Sequence, residues 1–99
     1  MQEVTMQFLI IAHDATTPGT LERRMEVRPR HLEDLGTLVE AGRVEIGGAM
    51  LDDQGAINGS MLVIEADSEE EVRAIIARDV YTTEGVWERV EIRPFRRAV

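Results

Sequence analysis

Two short runs in this sequence are apolar on both faces of the strand each would form. One is Phe8-Leu9-Ile10-Ile11-Ala12 and the other is Met61-Leu62-Val63-Ile64. Successive strand residues point to opposite faces, so a run without alternation has to be covered on both sides. In a chain of 99 residues that demand is hard to meet, because a domain of this size has a single modest core.

The remaining segments show what is available to cover them. Arg43 to Met50 alternates, with Val44, Ile46, Gly48 and Met50 to one side and Arg43 and Glu45 to the other. This is the pattern of a half-buried strand. Asp52-Asp53-Gln54-Gly55 is a turn, and the next strand begins at Ile57 or Asn58, which makes a hairpin. Val86 to Arg93 alternates again, with Val86, Val90 and Ile92 inward, and Pro94 closes it. The first apolar strand spans Met6 to Ala12, is ended by His13-Asp14, and is followed by a loop to Pro18-Gly19.

Two helices lie between the strands. Thr20 is a possible cap for a short segment carrying Leu21 and Met25. Pro29, which suits a first helical position, opens the main helix to Ala41, and Gly42 stops it. The pattern leaves open whether Thr20 to Ala41 is one kinked helix or two pieces. Leu32, Leu35, Leu38 and Val39 form its buried stripe. Ser68 with Glu71 three residues on is a capping box. It opens a second helix whose inner face is Val72, Ile75 and Ile76, and Thr82 to Gly85 is loop.

The order β-α-β-β-α-β is that of the ferredoxin-like split fold, an α+β architecture. Its antiparallel sheet runs 4-1-3-2 with both helices on one face. The central strands of that sheet are the two doubly apolar runs. Helices cover one face and no residues remain for the other, so a second copy of the chain is expected there, sheet against sheet. Residues 1–99 are read as a single domain that forms a homodimer.

Composition narrows the chemistry. The chain is 43% hydrophobic with mean hydropathy −0.17, as in soluble globular proteins. No apolar run approaches a membrane span, and Met1-Gln2-Glu3 lacks a secretory start. A cytoplasmic protein is expected. Nineteen acidic residues against eleven basic ones give a net charge of −8, which opposes binding to nucleic acid or an anionic membrane. With no cysteine and no lysine among its residues, the chain has no thiolate nucleophile, Schiff base or P-loop.

Two ionisable residues then stand out. His31 is in line with Leu35 and Leu38 at helical spacing and is aimed inward from the start of the first helix. Asp79 follows Ile76 by three and Ile75 by four, so it extends the buried stripe of the second helix. The fold brings the start of helix one and the end of helix two to one end of the domain. A carboxylate near a helix C-terminus is disfavoured by the dipole, and a histidine partner gives it a reason to be there. The plainer reading is a packed histidine and a carboxylate bonded to the amides of Thr82 or Thr83. As a pair, His31 and Asp79 suit general acid-base work. Ser60 and Tyr81 are the local hydroxyls, so proton transfer fits better than acyl transfer. His13, with Asp14, is expected at the same end. A metal site from His13, His31 and carboxylates gains no support from spacing, and no cofactor is expected.

At these residues the chain resembles the YciI-like (YCII-related) family. The resemblance rests on Arg28-Pro29-x-His31-Leu32, on Gly42 and Ile46-Gly47-Gly48, and on Gly59-Ser60. It continues through Asp79-Val80-Tyr81 and the closing Val90-Glu91-Ile92-Arg93-Pro94-Phe95. Val80 stands where the family's Asp-Pro-Tyr/Phe hallmark has proline. The resemblance implies a dimeric α+β barrel and a pocket holding a His/Asp pair, here His31 and Asp79. Relatives include a dehydrochlorinase of a chlorinated hydroxyhydroquinone, and the wider superfamily includes muconolactone isomerases. Three classes fit: a cofactor-independent lyase or isomerase, a module that binds a small acid, or an accessory dimer. In the first, the substrate is a small anionic or phenolic molecule. Its binding residues are Tyr81, Ser60, Arg24 or Arg30, and His13.

Overall fold

The computed structural model describes residues 6–99; the reading of Met1-Gln2-Glu3 falls outside them. The elements are β1 (Met6–Asp14), α1 (Thr20–Glu40), β2 (Val44–Leu51), β3 (Ile57–Ala66), α2 (Glu69–Arg78), α3 (Val80–Thr83) and β4 (Trp87–Phe95). The antiparallel sheet has the order β2-β3-β1-β4, the arrangement expected from the pattern. The two doubly apolar runs are the central strands β1 and β3. Phe8, Ile10, Ala12, Leu62 and Ile64 point to the helix-covered face and pack with Val27, Val72, Ile75 and Ile76.

Several local expectations change. Thr20 to Glu40 is one continuous helix that carries Pro29 in its interior, so Arg28 is helical and His31 lies mid-helix. A proline there removes the amide that would bond the Met25 carbonyl. Met25 lies on the solvent side of the helix and is 52% exposed. The N-cap is Gly19 at φ 86°, a left-handed conformation that glycine adopts without strain. Thr20 is instead a buried first-turn residue whose hydroxyl donates to the Thr17 carbonyl. Gly42, at φ 74°, ends the helix as expected.

Ser68 caps α2, its hydroxyl accepting from the Glu71 amide at 3.2 Å. The residues after Asp79 form the short α3 instead of continuing directly into loop. Val80 is the first residue of α3, a position where proline is also at home. Asp79 is extended (φ −64°, ψ 139°), as a residue before proline would be. The turn therefore keeps the geometry a proline would impose.

In β2 the register slips between Val44 and Ile46, and the slip breaks the expected alternation. Val44 faces the helices beside Ile64, whereas Ile46 and Gly48 share the open face with Val63 and Met61. Gly47 and Ala49 replace them on the helix side. β4 runs on through Pro94 to Phe95, which an edge strand tolerates. The open face carries Leu9, Ile11, Met61 and Val63 together with Ile46 and Phe95, which are 58% and 39% exposed.

Candidate active site

α1 does not lie flat along β2. Gly47 and Ala49 present almost no side chain on that side of the strand, and a cleft of about 520 Å³ opens between α1 and the β2–β3 hairpin. His31 and Tyr81 meet in its wall. This also explains Leu32 and Val39, which the helical pattern assigned to the core. They are 46% and 54% exposed because they line the cleft.

His31 Nδ1 is 2.8 Å from Asp79 Oδ1, and the two residues are only 6% and 5% exposed. The same Oδ1 accepts the Tyr81 amide at 2.9 Å. Asp79 meets the histidine and caps α3, but the amide its carboxylate holds is that of Tyr81. The amides of Thr82 and Thr83, expected on the side chain, donate to the Asp79 backbone carbonyl instead. An ionised carboxylate only accepts, so Nδ1 carries a proton and Nε2 of the neutral ring is left as a base. The imidazole is stacked on the Tyr81 ring, centroids 3.8 Å apart and planes 14° from parallel. Trp87 is edge-on to both rings. This aromatic packing and the Asp79 bond fix the ring in both tilt and rotation.

A second polar cluster adjoins it. Arg24 Nη1 donates to both Asp14 oxygens at 2.9 Å, and Nη2 donates to Ser60 Oγ at 2.8 Å. Trp87 Nε1 donates to the same hydroxyl at 3.2 Å. Burial raises the Asp14 pKa above the ordinary value of 3.8, and the Arg24 charge and hydrogen bond oppose that rise. The Arg24 guanidinium also sits 4.7 Å from the Tyr81 ring centre, a cation–π contact. Burial likewise raises the Tyr81 phenol above 10.0, with Arg24 and then Arg28 pulling it back. Tyr81 therefore keeps its proton at neutral pH and can donate it in a hydrogen bond.

Among the described residues, His31 Nε2 and the Tyr81 hydroxyl have no protein hydrogen-bond partner. Neither is sealed from solvent, since among those residues only Thr82 Oγ1 is a fully enclosed side-chain polar atom without one. Both belong to residues that line the cleft, as do Ser60, Arg24 and Arg28. Arg28 forms no ion pair among the described residues, so its charge is available.

Two of the residues expected here lie elsewhere. His13 is on the opposite face of the sheet, its Nε2 3.1 Å from Glu91, because odd-numbered residues of β1 face away from the helices. It cannot share a metal with His31, and the described residues contain no cluster of three or more His, Asp or Glu able to hold one. Arg30 is exposed and lies 3.8 Å from Glu84, outside the cleft. The sequence reading missed Trp87, Asp14 as the partner of Arg24, and Arg28 as a lining residue. The signal for Arg28 was present: Arg24, Arg28, His31 and Leu35 form one helical row once Pro29 is read as interior.

A model of the YCII-related domain matches residues 6–96. The chain belongs to the YCII-related family. A fusaric acid biosynthesis protein 2 from Gibberella moniliformis is 39% identical over 98 residues, covering 91% of this chain and 92% of the relative. Protein YciI of Escherichia coli is 36% identical, covering 93% and 98%. The chain also matches an aspartate kinase of Fusarium oxysporum at 39% identity, but spans only 18% of that longer protein. Among solved structures, the 5-chloro-2-hydroxyhydroquinone dehydrochlorinase of Burkholderia phenoliruptrix, in complex with 2,5-dihydroxybenzoquinone, superposes with a TM-score of 0.80. It is 28% identical, and the match covers 94% of this YCII-related chain and 96% of that one. No helix of the described residues is long and apolar enough to cross a membrane.

Proposed function

We propose that this YCII-related protein is a small-molecule enzyme of the lyase or isomerase type that moves protons without a cofactor, working as a cytoplasmic homodimer. The observation that carries the reading is the His31–Asp79 bond of 2.8 Å with the far ring nitrogen unpaired in a cleft. His31 Nε2 takes a proton from an acidic C–H or O–H of the substrate, and Asp79 supports the imidazolium that forms. The Tyr81 hydroxyl donates a hydrogen bond to the oxygen on which charge develops. Arg28 offers the unpaired cation for an anionic substrate. Ser60 accepts from Arg24 and Trp87 and keeps its own proton free for a ligand oxygen. Arg24 is committed to Asp14 and holds the wall.

The dehydrochlorinase supports the choice of reaction class, since loss of hydrogen chloride from a hydroxylated ring is a proton-transfer elimination. The test uses 5-chloro-2-hydroxyhydroquinone as probe, with chloride release as readout. Turnover is expected, and His31→Ala should reduce it by about 10²–10⁴-fold, the usual contribution of general base catalysis, while the far-UV spectrum stays unchanged. Binding of that probe without turnover would favour a binding module. Equal rates for wild type and His31→Ala would remove the base from the mechanism.

A further inference from the structure

We infer that the substrate carries an uncharged hydrocarbon tail that runs along α1 away from His31. The inference rests on the reading above, in which an acidic, planar head sits among Arg28, His31 and Tyr81.

The cleft is much longer than such a head. Its α1 wall runs from Arg24 through Arg28, His31, Leu35 and Gly36 to Glu40, two neighbouring helical rows on one face. At 1.5 Å per residue that face is about 24 Å long, several times the width of one aromatic ring. Its volume of about 520 Å³ falls within the range of pockets that enclose drug-sized ligands, roughly 300–1,000 Å³. Beyond His31 the lining turns apolar, with Leu32, Leu35, Val39, Val44 and Leu62.

Space in this half is kept open at a cost to the fold. Glycine weakens a helix interior relative to alanine, yet Gly36 sits inside α1, where an added Cβ would meet nothing within 4 Å. A side chain there would occupy the cleft itself. On the facing strand Gly47 and Ala49 are small as well, and at Gly47 the room is taken by Leu62, whose Cδ2 would lie 2.4 Å from an added Cβ; the open space is on the Gly36 side. Leu32 and Val39 stay about half exposed on this rim, apolar surface that a hydrocarbon tail would cover. Glu40 stands at the far end of this wall and its charge repels a second anionic group. The acid therefore belongs at Arg28 and the neutral tail towards Val39.

The experiment is a calorimetric titration of wild type, Gly36→Ala and Gly36→Leu with benzoate and a series of 4-alkylbenzoates of rising chain length. Wild-type affinity is expected to rise about three- to fourfold per added methylene and then level off at the end of the cleft. Gly36→Leu, a change to a strong helix former, should flatten the series relative to its own benzoate value, and Gly36→Ala should give a partial loss. Arg28→Gln should weaken every member alike. A flat wild-type series with benzoate still bound and still sensitive to Arg28→Gln would overturn the tail while sparing the site. A rise that persists in Gly36→Leu would place the tail elsewhere and overturn the inference. Failure of all the probes to bind would overturn both.

Discussion

Replacing Asp14 by alanine should be among the most damaging single changes this protein can suffer, although Asp14 touches no substrate. The side chains of Arg24 and Asp14 are only 6% and 7% exposed. Nη1 is held by both carboxylate oxygens at 2.9 Å, and Ser60 satisfies only the second terminal nitrogen. Asp14→Ala leaves a guanidinium buried without its counter-charge, which costs about 3–5 kcal/mol. Small domains have roughly 5–15 kcal/mol in all, and each kcal/mol moves the Tm of a domain this size by about 4–8 °C. A fall of roughly 12 °C or more is expected in thermal denaturation followed by circular dichroism. The direction of the Asp14 pKa adds a sharper test. Burial outweighs Arg24 in setting it, so the Asp14 charge is expensive to bury even beside its partner. Asp14→Leu combined with Arg24→Met should therefore recover most of the loss, as apolar replacement of buried ion pairs often does. The pH dependence has the matching sign. The native carboxyl binds its proton more tightly than the unfolded one, so the contribution of Asp14 is most favourable below 3.8. It declines as pH rises towards the raised native value. A single mutant that loses less than about 1 kcal/mol, near the scale of an exposed pair, would refute this reasoning.

Two further outcomes follow from the sheet. Ile11 lies on the open face beside Met61, so Ile11→Glu is expected to convert a homodimer to monomer in light scattering. A wild-type protein that is monomeric at micromolar concentration would sink the dimer. Gly59 lies in β3 against β1, and an added Cβ would come within 2.3 Å of the Ala12 carbonyl oxygen and 2.5 Å of Met50 Cε. Gly59→Ala should cost about 1–3 kcal/mol in urea denaturation, the usual toll of overpacking, and an unchanged midpoint would show that the strands part freely.

Much of this arrangement could be read from the residues because it rests on pattern. The doubly apolar runs of β1 and β3 had to be central, and the element order then sets a helix opening at Pro29 beside the end of α2, where the structure has the middle of α1. That step brought His31 and Asp79 to one place, and the structure closes the distance to 2.8 Å. Most of what escaped depended on features that pattern does not carry, whereas the parity of His13 and the helical row of Arg28 are legible in it. Pro29 reads locally as a helix start because its preference is for the first turn, while the whole helix carries it in its interior. The register slip after Val44 turned Ile46 outward and put Gly47 and Ala49 on the helix side. These small residues line the cleft opposite α1. His13 was placed by its nearness to the end of β1, but strand parity sends it to the other face. Trp87 and Asp14 reach the site through tertiary contacts with Ser60 and Arg24, which no spacing in the sequence encodes.

The account turns on which nitrogen of His31 holds the proton. Nitrogen-15 NMR of the histidine ring, in wild type and Asp79→Asn, reads this directly. The neutral ring in the wild-type protein should be protonated on Nδ1, towards Asp79, with Nε2 bare in the cleft, and Asp79→Asn should weaken that preference. A neutral His31 protonated on Nε2 in the wild type would present a donor instead of a base to the cleft, and would contradict the mechanism at its first step.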